Sequence, residues 1–347
     1  MSRRVFLAAL AGPFAVIALA TTPAAQRNPQ SLPPRLDTYI KTGAQLTSAQ
    51  QRQLLAGQPV TRMLDTDRSH EVAVLGAMWV VAPAERYIAA VRDIEQFEKG
   101  ESFLVTKKVS SPPRLEDFAA LRISSDDVDD LKSCRVGSCQ LKLGEEALVR
   151  LKNELDRSKP NAKADVDPIA RQLMLEYVNA YLQGGNSELA TYRDSGRPTF
   201  VAQEFASMID RMPELTDYLP DLKRYLIGFP KVRLANSDSF IYWQEAKFGL
   251  KPTIRINHLT VVQEPAHAVV VSKMLYASHY FWTALELRVL VPDPQRGPGF
   301  WFVSVNRSRS DGLTGFTGAL LRGKVRDEAE KGMLAVLQST KASLERP

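Results

Sequence analysis

The sequence predicts an α+β fold: an antiparallel sheet written in two pieces, an inserted helical block between them, and a long C-terminal helix. Three observations carry this reading. Apolar, β-branched runs with strand texture recur between Val60 and Leu143, around one helix from Pro83, and return at Ser239. Between them, from Glu145 to about Phe229, apolar residues recur at helical spacing. The tail from Lys324 to Leu344 carries one apolar face, Val325, Ala329, Met333, Val336, Leu337 and Leu344.

The N-terminus is the most specific segment. Ser2-Arg3-Arg4-Val5-Phe6-Leu7 leads into an apolar run from Val5 to Ala20, and Thr22-Pro23-Ala24-Ala25 supplies small residues for cleavage after Ala24. A basic start, a short apolar core and a small-residue end make residues 1–24 a secretory signal and not a membrane span. The pattern resembles the twin-arginine export signal S-R-R-x-F-L-K, with Ala8 in place of the final Lys. The charged start of the general secretory route is the alternative. Both give the same address, the periplasm or another compartment outside a bacterial cytoplasm.

Residues 25–45, rich in Pro, Gln and Thr, read as a flexible leader. The first part of the sheet domain then spans 46–144. Thr47 caps a short helix that Gly57 ends. Val60 to Leu64 and Glu71 to Val81 read as strands. Pro83 opens a helix with Ile88, Val91, Ile94 and Phe97 at helical spacing. Ser102 to Val109, Phe118 to Ile123 and Lys132 to Leu143 read as further strands. The insertion, 145–230, has two apolar stripes: Ile169, Leu173, Tyr177 and Tyr181, then Phe205, Met208, Ile209 and Met212. Residues 231–347 finish the sheet with strands at 239–248, 253–262, 268–281, 282–291 and 300–309, followed by a loop with Gly312, Gly315 and Gly318 and the closing helix.

The 347 residues are 44% hydrophobic and 24% charged, a globular composition. A net charge of +6 permits a peripheral contact with anionic lipid or wall polymer and demands no nucleic-acid partner. Cys134 and Cys139 stand close together, which in an oxidising compartment predicts a local disulfide; the spacing is not the C-x-x-C of thioredoxin-like redox proteins.

The run Trp79-Val80-Val81-Ala82-Pro83-Ala84-Glu85-Arg86-Tyr87-Ile88 and the tail (strand Phe300 to Arg309, the Asp311-Gly312 turn, a loop, then a helix) resemble the START and Bet v 1-like helix-grip superfamily. The likeness covers about residues 58–143 and 239–345 and departs from the family pattern in the helical block. It implies an antiparallel curved sheet gripping a long C-terminal helix, with a cavity between them for lipids, sterols, polyketides or similar apolar molecules. The superfamily has no single catalytic residue set, so no role transfers by position.

The residues themselves name no reaction, and no catalytic residue, metal or cofactor is assigned. Gly318 to Val325 spells G-x-x-x-x-G-K-V, a P-loop lacking the hydroxyl that holds magnesium. None of His70, His258, His267 and His279 has metal-ligand spacing. Asp126 to Asp130 lacks the glycine of a calcium loop and reads as a solvated turn. Period two sets Ile254, Ile256 and His258 on one strand face, where His258 is either a hydrogen-bonded core residue or a cavity-lining one. Tyr242, Tyr276 and Tyr280 combine apolar bodies with polar handles and suit either packing or a ligand. Arg307 and Arg309 begin a basic cluster that runs to Arg322, Lys324 and Arg326, either solvated or at a cavity mouth meeting an anionic headgroup. The function these residues predict is non-catalytic binding of an apolar or amphipathic small molecule. The alternatives are a polyketide-cyclase-like enzyme using His258 and Glu245, or an envelope assembly protein acting through the helical block.

Overall fold

The computed structural model describes residues 31–67, 69–157, 162–248, 251–311 and 315–346. The export-signal-like segment and its cleavage site lie outside the described residues.

Eight strands form one antiparallel sheet: β1 (Val60–Met63), β2 (Glu71–Val80), β3 (Phe103–Lys108), β6 (Ser237–Phe248), β7 (Lys251–Glu264), β8 (His267–Ala277), β9 (Phe281–Pro292) and β10 (Phe300–Ser310). Their order is β1-β2-β10-β9-β8-β7-β6-β3. The late strands β6 to β10 are therefore a meander, and they return the chain to β2, beside which β10 pairs from Phe300–Val80 to Arg309–Glu71. The chain between β3 and β6 holds the insertion. Two short strands there, β4 (Thr191–Tyr192) and β5 (Thr199–Phe200), make a separate hairpin.

Alternation along the strands gives two apolar faces. On one, Val74, Met78, Phe302, Leu290, Val270 and Leu259 pack under α3 (Ala84–Arg92), the single-turn α4 (Ile94–Phe97) and the C-terminal helix, Gly315–Leu344. Met333 and Leu337 of that helix press onto Gly76, where a Cβ would come within 2.7 Å of the Met333 sulfur. Each such fully buried side chain contributes roughly 2 kcal/mol by burial alone.

The opposite face is covered twice. Over β2, β10 and β9 lie α1 (Pro34–Thr38), the π-helical turn Tyr39–Gly43, α2 (Ser48–Leu55), α8 (Val201–Asp210) and α9 (Pro220–Gly228). Over β6, β7 and β8 lie α5 (Ser125–Ser133), α6 (Glu145–Arg157) and α7 (Ala162–Gly184). The C-terminal helix completes the series as α10. Among the described residues no helix is long and apolar enough to cross a membrane.

Several expectations need correction. Residues 34–44 are not a flexible leader: Leu36, Tyr39, Ile40 and Ala44 recur at helical spacing and bury in the core, a pattern their polar neighbours mask. The stretches 118–123 and 132–143 are not strands. Ser124 caps α5 by accepting from the Asp127 amide, Asp126 and Asp127 favour its first turn, and Val128 and Leu131 supply its buried face. The acidic run read as a solvated turn is thus this helix, with Asp127 buried. The sheet's first part accordingly ends at Lys108, and helical structure starts before residue 145. The glycines at 315, 318 and 323 lie inside α10, so the P-loop-like spelling forms no phosphate-cradling loop. Thr47, by contrast, makes the expected cap, reciprocated by Gln50.

Candidate ligand cavity

A cavity of about 500 Å³ opens between the sheet and the helical insertion. Its floor is Ile254 of β7 with Tyr276 and, just past β8, Ser278; its walls include Ile123, Leu131, Leu141, Leu143, Leu151, Leu173, Met174 and Tyr177. The stripe Ile169-Leu173-Tyr177-Tyr181 turns one side of α7 toward the sheet, which is why α7 can wall it. Tyr177 is fixed at both ends of its hydroxyl: it donates to the Leu275 carbonyl at 2.7 Å and accepts from the Ala190 amide at 3.3 Å. Burial raises the Tyr177 and Tyr276 phenols well above their ordinary range, so both stay neutral.

At the inner end, the Asp127 carboxylate meets His279 Nε2 at 3.1 Å and Lys251 Nζ at 3.6 Å. Burial alone would raise that carboxyl, but the His279 hydrogen bond and the charges of His279 and Lys251 hold it below its usual value. At the mouth, Arg150 of α6 grips Glu176 of α7 at 2.5 and 3.2 Å and reaches Glu146 at 3.6 Å. Glu145 and Glu188 complete the rim. The disulfide between Cys134 and Cys139 is formed, with Cα atoms 4.4 Å apart, and ties the end of α5 into a short loop beside Leu141.

Behind the cavity lies a second group. Lys273 of β8 stands opposite His258 of β7, both under α7 and α9. Its ammonium lies 5.0 Å from the Tyr181 ring centre and 4.4 Å from that of Phe205, and it donates to Asn186 Oδ1. Among the described residues no carboxylate comes within 4.0 Å of it. Desolvation lowers Lys273 to about 7 and, with the Lys273 charge, lowers His258 to about 3. His258 Nδ1 is 2.9 Å from the Tyr181 hydroxyl. An amine that loses its proton near neutral pH and a neutral imidazole are therefore stored in the interior. Both are 4% exposed or less, and neither lines the cavity.

The predicted site residues do not form one constellation. Ile254 and Tyr276 line the cavity; Ile256 packs in the same apolar cluster. His258 belongs to the Lys273 group. Tyr242 faces the other side of the sheet, 3.2 Å from the Ser272 hydroxyl. Tyr280 closes the turn after β8 with φ +61° and accepts from the Lys251 amide. Arg307 and Arg309 are not at an exposed mouth. Both are buried and hold Glu71, at 2.5 and 3.1 Å, on the face away from α10. Strand alternation thus separates them from Arg322, Lys324 and Arg326, and the basic cluster of the sequence is two unrelated groups. Glu245 stands opposite Ile254, four residues along the sheet from the His258 pair, about 13 Å away. Lys273 was the residue sequence reasoning missed, although Val269, Val271 and Lys273 share parity in a run of buried strand.

No protein-family model matches the chain, and no curated protein matches it significantly.

Proposed function

We propose that the chain is an exported binding protein that holds an apolar or amphipathic small molecule between the sheet and the helical insertion, without converting it. The observation that carries this is the cavity of about 500 Å³, walled by leucines, Met174 and two neutral tyrosines. Its size and lining suit a small-molecule site. Export is supported by the signal-like N-terminus and by the disulfide, a bond that persists in oxidising compartments. Kinship with the helix-grip superfamily is part of the proposal. Its support is the strand β2 running into a helix after Ala82-Pro83, the meander β6 to β10, and α10 closing on the same face as α3.

The site proposed differs in place from the one that resemblance implies, since it lies on the face opposite α10. A second reading, an enzyme on this scaffold, is favoured by the buried amine of Lys273, lowered to about 7, beside His258. That pair sits behind the cavity wall, so binding is the better-supported reading.

Native mass spectrometry of the purified, unreduced protein should find a co-purified apolar molecule. Met174→Trp, which fills the cavity from α7, should abolish that adduct while leaving a cooperative melt. An adduct that persists unchanged in Met174→Trp rules this cavity out.

A further inference from the structure

The rim of the cavity carries a charge pattern that the apolar walls do not explain. Five carboxylates line it, Asp127, Glu145, Glu146, Glu176 and Glu188, against one guanidinium, Arg150. Asp127 is answered within the wall by His279 and Lys251. The other four stand near the opening. Glu146 and Glu176 share Arg150, and Glu145 has Arg193 at 3.7 Å. No lysine and no second arginine lines the cavity among the described residues. The potential at the opening is therefore negative, on a molecule whose net charge is +6.

Taking as its premise that the cavity binds an amphiphile, we propose that this amphiphile carries a cationic, amine-type head, and that the head competes with Arg150 for Glu176. The geometry supplies the acceptor. Glu176 follows Leu173 by three residues and precedes Ala180 by four on α7, which sets the three on one helix face, and all line the cavity. A tail lying along Leu173, Met174 and Tyr177 therefore brings its head to that carboxylate. A carboxylate head in the same place would meet Glu145, Glu146, Glu176 and Glu188, against only Arg150 and Arg193, both already paired with those glutamates. Like charges placed together there penalise it. This replaces the anionic headgroup that the sequence's arginines suggested, since Arg307 and Arg309 are committed to Glu71.

The test is displacement of a neutral fluorophore, N-phenyl-1-naphthylamine, by dodecylammonium, dodecanol and dodecanoate, each below its micelle concentration. At an ionic strength of about 20 mM the amine should bind about fivefold to tenfold tighter than the carboxylate, and the gap should shrink at about 0.5 M. Non-specific attraction to a basic protein would give the reverse order, so the net charge cannot produce the expected result. Glu176→Gln should lower the amine-to-dodecanol affinity ratio, and Arg150→Met should raise it. Dodecanoate binding as tightly as the amine, or tighter, overturns the headgroup assignment while dodecanol still reports an apolar cavity. Failure of dodecanol itself to displace the fluorophore overturns the binding function on which the assignment rests.

Discussion

Lys273 stands directly opposite His258 across the β7–β8 pair, and the two share the buried side of the sheet beneath Tyr181. A lysine with no carboxylate partner among the described residues, 1% exposed, is a stored cost, not a stabilising contact. Its environment consists of Asn186, two aromatic rings and an imidazole that is itself neutral. Asn186 in turn donates to the Leu226 and Ile227 carbonyls at the end of α9. The amine therefore lies under the junction of α7, α9 and the sheet.

The pH dependence of stability follows from this placement. Lys273 titrates near 7 in the folded chain and near its ordinary value of 10.5 when unfolded. Between those values the unfolded state binds more protons, so stability should rise with pH from about 7 to 10.5; below 7 the penalty is full and constant. Lys273→Met should remove this dependence and stabilise the protein at pH 6 by on the order of 4 kcal/mol. Urea unfolding of both proteins at pH 6 and pH 9 reads the difference. Equal wild-type and variant stability at pH 6 would mean the ammonium is not desolvated.

Glu71 should be the most sensitive charged position. It is fully buried between Arg307 and Arg309. Glu71→Ala leaves Arg307 without its carboxylate, while Arg309 keeps Glu204 at 2.7 Å. The expected loss is about 3–5 kcal/mol. Adding Arg307→Met should recover part of it, because the uncompensated charge is then gone. A denaturant midpoint that barely moves in Glu71→Ala would contradict the buried triad.

Gly185 fixes how α7 meets the chain after α9. It holds φ +68°, and a Cβ there would lie 1.8 Å from the Phe229 carbonyl oxygen. Gly185→Ala should therefore cost at least about 3 kcal/mol, from backbone strain and from moving the Phe229–Pro230 segment. Gly196→Ala, which points into open space, should change the melt by no more than about 0.5 kcal/mol. Similar melts for both variants would show that the close approach is relaxed in solution.

The disulfide closes a short loop, so its contribution is small. Replacing Cys134 and Cys139 together by Ser should cost about 2 kcal/mol. Thiol titration of the unreduced protein should find no reactive sulfhydryl, since the two cysteines bond each other. Two titratable thiols in protein recovered from outside the cytoplasm would contradict the bond.

Much of the architecture was legible because period is a local property. β2 at Glu71–Val80, the meander from Ser237 to Ser310, the Thr47 cap and the helix ending at Leu344 each follow from alternation, spacing or a turn residue within the segment itself. The disulfide followed from spacing and compartment. The errors came where local signals compete: Ser124 with its two aspartates outweighs the apolar texture of 118–143, and four apolar side chains among polar ones make residues 34–44 part of the core.

The cavity was only half legible. Parity put Ile254 and His258 on one strand face, and the sheet keeps them there. Sequence spacing could not say which helix covers which stretch of that face. That depends on how α5, α6 and α7 cross it, so Ile254 and Tyr276 meet open space while His258 meets Tyr181 and Lys273. Likewise, Arg307 and Arg322 are near in sequence, yet Arg307 holds Glu71 on the sheet face away from α10, the helix that carries Arg322. The sequence by itself determined β2, the meander from β6 to β10, the Thr47 cap and the closing helix, and that the two cysteines bond. The tertiary structure alone decided where apolar walls leave a gap, which charges ring it, and that a lysine is buried without a counter-charge among the described residues. Those properties depend on contacts between segments distant in sequence, which no periodicity encodes.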